Sequence, residues 1–171
     1  DEVTVPVENF LGTIGKGLEQ ARTFMNESSI QCAAMAVGIA QGAFDHALAY
    51  TKQREQFGSK LADFQILRHR LADMALDIKK ARLITYEAAL SYDKGNIDPG
   101  SSAAAKLSAC RTATDVSFQA IQLLGGYGYM SEYHVERYYR DAKMMEIVAG
   151  SPDQLKDIVS ATVIGKVPAI S

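Results

Sequence analysis

The stretch at residues 30–53, IQCAAMAVGIAQGAFDHALAYTKQ, decides the fold. Its apolar residues fall at Ile30, Ala33, Ala34, Val37, Ala40, Phe44, Ala47 and Leu48, the spacing of one face of an α-helix. Gly38, Gly42, Cys32 and the alanines keep that surface low, so another helix can approach closely, at some cost in intrinsic propensity. Such a helix is expected at the centre of a bundle. Upstream, residues 11–17 read as a turn, and their GTIGKG matches neither the Walker nor the dinucleotide-binding pattern. Before it, residues 2–7 (EVTVPV) alternate with period two and predict a residual β segment with nothing in this chain to pair with.

Downstream, Gly58 marks a break. From Asp63, a natural N-cap, a second helix carries Phe64, Leu67, Leu71, Met74, Ile78, Ala81, Ala88 and Tyr92 at spacings built from threes and fours, with Thr85 the polar exception. Residues 95–100, containing Asp98-Pro99, end it and lead into a third helix over 101–124. A short helix is predicted over 132–141, and a last one starting near Pro152. Long amphipathic helices joined by short loops predict an all-α, up-down antiparallel helical bundle.

Composition narrows the function. With 171 residues, 47% of them hydrophobic, the chain can bury a core. Eighteen Lys and Arg against 20 Asp and Glu leave a net charge of -2, which gives no basic footprint for nucleic acid or an anionic membrane. The longest apolar run, residues 32–40, is about half of what a spanning helix needs. Cys32 and Cys110, both in alanine-rich helical pattern, read as buried reduced thiols, which fits a cytoplasmic protein. Bundle metal sites use Glu-x-x-His, but Ala43, Ile66 and Ser131 stand three before His46, His69 and His134, so no metal is expected. No serine lies in a Gly-x-Ser-x-Gly elbow.

Three segments carry chemistry unusual for bundle loops. Arg54-Glu55-Gln56-Phe57-Gly58 places a guanidinium fork at a helix end, where it can cap carbonyls or reach a phosphate. Residues 122–129, QLLGGYGY, hold three glycines that would let a ligand lie against the backbone, or else form a tight helix-ending turn. Residues 140–143 (RDAK) and 149–153 (AGSPD) form a loop feeding a helix N-terminus, which suits an anion.

In this order, REQFGSKLADFQ, RLADM, QLLGGYGYMSEYHVERYYRDAK and AGSPDQLKDIV resemble the C-terminal domain of the acyl-CoA dehydrogenase flavoprotein family. The opening VTVPVENFLG resembles the last strand of that family's middle β domain and its exit. The resemblance therefore implies that residues 1–11 close a β domain lying outside this sequence, and that residues 12–171 form the helical C-terminal domain. It implies oxidation of an acyl-CoA thioester: a carboxylate takes the α proton while the β hydrogen leaves as hydride to the flavin of FAD, giving a trans-enoyl-CoA. Electrons would pass on to an electron-transfer flavoprotein or another acceptor, and the protein would be a homodimer or homotetramer. Carried onto matching positions, Arg54, Phe57 and Gln65 would contact FAD. Gln122, Gly125 and Gly126 would cradle its pyrophosphate or adenosine end across a subunit interface, and Ser151, Pro152 and Asp153 would meet the phosphates. Pro152 has no N–H to give.

The catalytic positions depart from the family. Most members carry the base as a Glu where this chain has Ala149, and a second group carries it where this chain has Ser28. Glu27 lies one residue earlier, about 100° away around a helix. The acyl-CoA partners of the common Asp-x-x-Arg pattern are Asn26 and Ser29 here, and the resemblance adds Gly150 as a third substrate-side candidate. The resemblance implies that the main-chain N–H of residue 149 polarises the thioester carbonyl, a donor that alanine keeps. Four explanations stay open: Glu27 is the base; Asp153 or another acid is; the base comes from outside this chain; or the protein is not a dehydrogenase of the ordinary kind, the alternative function being a non-catalytic or structural subunit that pairs with an active homologue and contributes part of the FAD site.

Overall fold

A computed structural model describes residues 2–165. It contains six helices, α1 (Gly17–Gln53), α2 (Gln65–Asp93), α3 (Pro99–Leu124), α4 (Gly126–Tyr129), α5 (Val135–Ile147) and α6 (Pro152–Ile164), and one antiparallel ladder between β1 (Glu55–Gln56) and β2 (Ser59–Lys60). The expected all-α bundle is what forms. The helix predicted centrally does not hold the centre: α3 does, packing against α1, α2, α5 and α6. α1 instead projects from the bundle at its start, with nearly every side chain from Gly17 to Glu27 exposed. That stretch lacks a periodic apolar face, which is why periodicity placed the start of the helix 13 residues too late.

α1 and α3 pack most closely of all the pairs, and alanine is the commonest residue that each buries. Ala33, Ala36, Ala40, Ala43 and Ala47 on α1, and Ala105, Ala109, Ala113 and Ala120 on α3, are all fully buried. On the same helix Gly42 lets the Tyr138 ring of α5 come within 2.8 Å of where its Cβ would be, whereas Gly38 and Ala34 face outward. The second predicted stripe holds closely: Leu71, Met74, Ile78, Ala81, Thr85 and Ala88 are buried, and Thr85 satisfies its hydroxyl on the Ala81 carbonyl at 2.8 Å. Cys32 and Cys110 are buried free thiols.

The ends of elements differ more. Residues 2–6 form no strand among the described residues: they run exposed into a 3-10 turn at Val7–Asn9, since a lone segment has no ladder to complete. Asp63 does not cap α2; it closes a 3-10 turn and accepts from the Lys60 N–H at 3.2 Å, and α2 starts two residues on. Asp98 caps α3 through the N–H groups of Gly100 and Ser101, so that helix starts at Pro99. The short helix begins at Val135 rather than Glu132 because His134 turns left-handed, with φ 58°. The ladder β1–β2 and the single-turn α4 carry no periodic signal of their own.

Candidate functional site

Two of the three unusual segments meet. α1 ends where Arg54 leaves helical geometry, and the chain reverses at once through Phe57 and Gly58, both with positive φ (54° and 76°). A two-residue hairpin of this kind needs such angles at both central positions. Glycine adopts them freely; phenylalanine does so under strain, here with 95% of its surface exposed. At the same end of the bundle α3 stops at Gly125 (φ 61°, ψ -136°), and α4 packs back so tightly that a Cβ on Gly128 would lie 2.5 Å from the Ile121 carbonyl oxygen. Between these ends lies a recess of about 280 Å³ lined by Tyr50, Arg54, Gln56, Gln122, Gly125 and Gly126, among others.

Arg54 makes no ion pair among the described residues. Its guanidinium instead sits 5.7 Å above the Tyr127 ring, within a cluster formed with Tyr50 and Tyr133. Burial pushes the Tyr50 phenol up, against the pull of Arg54. An unpaired cation over an aromatic, beside an amide side chain and glycine backbone, is a donor set suited to a phosphate or pyrophosphate. Phe57 stands at the hairpin tip beside this recess, while Gln65, exposed in the first turn of α2, does not line it.

The third segment is elsewhere. Residues 148–151 join α5 to α6 through Ala149 (φ 54°) and Gly150 (φ 108°). They are anchored to the first half of α3 by Lys106, which lies 16 residues, or about 24 Å of helix, from Gln122. Met25 of α1 reaches this loop, its Cε 3.5 Å from where a Gly150 Cβ would be. Ser151 caps α6 in a reciprocal box: its Oγ accepts from the Gln154 N–H at 3.4 Å, and its own N–H donates to Gln154 Oε1 at 3.0 Å. At the start of α6, Pro152 has no N–H, and the N–H groups of the cap residue Ser151 and of Gln154 are already engaged. The Asp153 carboxylate is exposed and paired with Lys156 at 3.1 Å.

The substrate-side positions lie on α1 near Met25. Ser29 is buried and donates to the Met25 carbonyl at 2.8 Å, while Asn26 and Ser28 are half-buried. Glu27 is exposed; it accepts from the Tyr92 hydroxyl of α2 at 3.3 Å and from Gln31 at 3.2 Å. Its charge pushes the Tyr92 phenol up. Two residues along α1 is about 200° of rotation, so Glu27 faces α2 while Met25 faces the loop. The structure does not bring the two together. No group of three or more His, Cys, Asp and Glu is placed to hold a metal among the described residues, and no described helix is long and apolar enough to cross a membrane.

Sequence reasoning missed Lys106 and Met25. A signal for Lys106 existed: it occupies the buried stripe of α3, four residues from both Ser102 and Cys110, where every neighbour is small or apolar. Met25 had none, because its role depends on how far α1 extends.

The profile of the family described as "Acyl-CoA dehydrogenase, C-terminal domain" matches residues 15–164. The chain is 44% identical over 163 residues to a short-chain specific acyl-CoA dehydrogenase of Clostridium acetobutylicum, covering 95% of this chain and 43% of that protein. It is 36% identical over 166 residues to the CarC subunit of the caffeyl-CoA reductase-Etf complex of Acetobacterium woodii, covering 97% and 44%. Among solved structures, butyryl-CoA dehydrogenase from Megasphaera elsdenii superposes with a TM-score of 0.92 at 39% identity, over 94% of this chain and 42% of that one. The chain thus spans about two fifths of the length of these relatives. A bundle whose ordered motifs, helix packing and relatives all agree is accounted for in one way: this chain belongs to the acyl-CoA dehydrogenase family, as its C-terminal helical domain.

Proposed function

We propose that the chain is the C-terminal part of an FAD-dependent flavoprotein that oxidises an acyl-CoA thioester at its α and β carbons. On this reading residues 1–11 leave a middle β domain and the bundle follows from residue 12. The observation that carries it is the convergence of the unpaired Arg54 with Gln122, Gly125 and Gly126 in one recess. That donor set fits the pyrophosphate or adenosine end of FAD, with Phe57 and Gln65 as outlying contacts. FAD, when bound, supplies the hydride acceptor. Because the recess and the 148–151 loop lie at different points along α3, one chain serves two flavin sites, and a homodimer or homotetramer is the form that completes them.

The loop is the acyl-CoA end. Ala149 offers its N–H to the thioester carbonyl, Asn26, Ser29 and Gly150 border the ligand, and Ser151 and Asp153 approach the flavin's phosphate side. Glu27 is the candidate proton acceptor within the chain, and it serves only if its contact with Tyr92 is released. The electron acceptor is an electron-transfer flavoprotein, supported by the Etf complex named for the relative in Acetobacterium woodii. A second reading, a non-catalytic subunit paired with an active homologue, is favoured by Ala149, Ser28 and the direction Glu27 takes.

The test uses the protein that carries this chain. It is expected to purify with bound flavin, and Arg54→Ala is expected to lose most of that flavin while melting as cooperatively as the wild type. Anaerobic addition of short-chain acyl-CoA separates the readings: bleaching of the flavin supports the dehydrogenase, and retained flavin that no acyl-CoA bleaches supports the non-catalytic subunit.

A further inference from the structure

Lys106 is the largest fully buried side chain among the described residues, and it makes no ion pair there; Glu146, which lines the same pocket, pairs with Lys143 instead. Its ammonium donates to two main-chain oxygens, those of Val148 and Gly150, the second at 2.7 Å. Two carbonyls two residues apart converge on one cation because Ala149 and Gly150 both have positive φ. Burial lowers the Lys106 pKa, as expected where water has been removed. A buried cation without a counter-ion is a costly way to fill space that Met or Leu would fill, so the charge itself calls for an explanation.

The peptide plane supplies one. In a trans peptide the C=O and the following N–H point in opposite directions. Drawing the Val148 oxygen inward to Lys106 therefore turns the Ala149 N–H outward, away from α3. That N–H donates to no acceptor among the described residues, in contrast to the neighbouring N–H groups of Val148 and Ser151, which reach Met144 and Gln154. An amide whose oxygen accepts from a cation is polarised along its length and becomes a stronger donor at nitrogen.

We infer that Lys106 is a positioning residue for the thioester: through the Val148–Ala149 peptide it aims the Ala149 N–H at the thioester carbonyl oxygen and strengthens that hydrogen bond. This rests on the acyl-CoA reading above. Lys106 touches neither substrate nor flavin; it acts from the far side of one peptide group. The plainer alternative is a cation that merely caps the C-terminal end of α5, which would hold the loop without affecting the ligand.

The experiment reads the ligand's carbonyl directly. Crotonyl-CoA carrying ¹³C at the thioester carbon, an enoyl product with no electrons to give an oxidised flavin, is bound to the flavin-loaded protein that carries this chain. Its isotope-edited infrared stretch is recorded for wild type and Lys106→Met. The expected result is a carbonyl band shifted to lower frequency in the wild type, and most of that shift lost in Lys106→Met. Turnover is expected to fall about 10²-fold with KM changed far less, the pattern of a lost transition-state donor. If Lys106→Met does not fold, Lys106→Gln, which returns one neutral donor to the two carbonyls, is expected to lose part of the shift. A wild-type band that is shifted and stays equally shifted in the variant overturns the role of Lys106 and leaves only the cap. A wild-type band that is not shifted at all overturns the acyl-CoA reading, and the inference falls with it.

Discussion

At the scale of single residues, the fold shows where charge is used and where it is avoided. Glu27, exposed and shared between Tyr92 and Gln31, is the acid whose removal is most informative. If it takes the α proton, Glu27→Gln lowers acyl-CoA turnover by about 10²-fold or more with flavin content unchanged. Unchanged turnover moves the base out of this position. Cys110 makes a different kind of test, because its thiol is buried against the Met145 carbonyl and pushed up from 9.0 to about 12, chiefly by burial and against the opposing pull of Lys106. Between those values the unfolded chain gives up the thiol proton and the folded one keeps it, so this group's contribution to stability falls as pH rises from 9 towards 12. Cys110→Ala is destabilising at pH 7, and its deficit relative to wild type should shrink by pH 10. Urea midpoints at the two pH values measure this, and a constant difference would show that the thiol is not held neutral. Lys106 works in the opposite sense. Its lowered pKa means that the folded state loses the proton first, so its contribution rises with pH below 10.5.

At the scale of elements, what periodicity could see was packing against a neighbour. The buried stripe of α2 was legible because six of its positions answer to α3 and α1 at a fixed spacing. The first three turns of α1 were not, since an exposed helix has no face to announce. Arg54 and the glycines after α3 stood out by residue type, yet their meeting in one recess depends on α1 and α3 ending on the same side, which no local pattern records. The hairpin between β1 and β2 joins the two kinds of evidence. Phe57 holds a left-handed backbone that costs of order 1 kcal/mol in a non-glycine residue. Phe57→Gly is therefore expected to raise stability by up to about that much, less the extra freedom glycine has when unfolded. In the flavin-loaded protein it is expected to weaken flavin retention, because the ring is lost. A variant that is more stable and yet keeps its flavin would remove Phe57 from the cofactor contacts.

At the scale of the whole molecule, the bundle leaves apolar surface uncovered. Ile66, Leu76, Leu83, Tyr86 and Leu90 are exposed along α2, and Leu18 and Phe24 on the projecting start of α1. Large exposed apolar side chains that recur along one helix are the usual mark of an interface. Sedimentation of the chain at micromolar concentration is expected to give dimers or larger species, and Leu83→Lys to shift the distribution towards monomer; a monomeric wild type would contradict the assembly. The alanine seam between α1 and α3 carries a different consequence, one for inheritance. A single-base change in an alanine codon yields Ser, Thr, Pro, Val, Gly, Asp or Glu. Proline breaks the helix, glycine costs about 1 kcal/mol of propensity, the acids bury an unpaired charge, and the remainder wedge apart surfaces with no spare volume. None of these alleles is silent, so in this gene the densest run of damaging missense variants should fall in the seam, where residues touch no ligand, rather than around the recess or the loop.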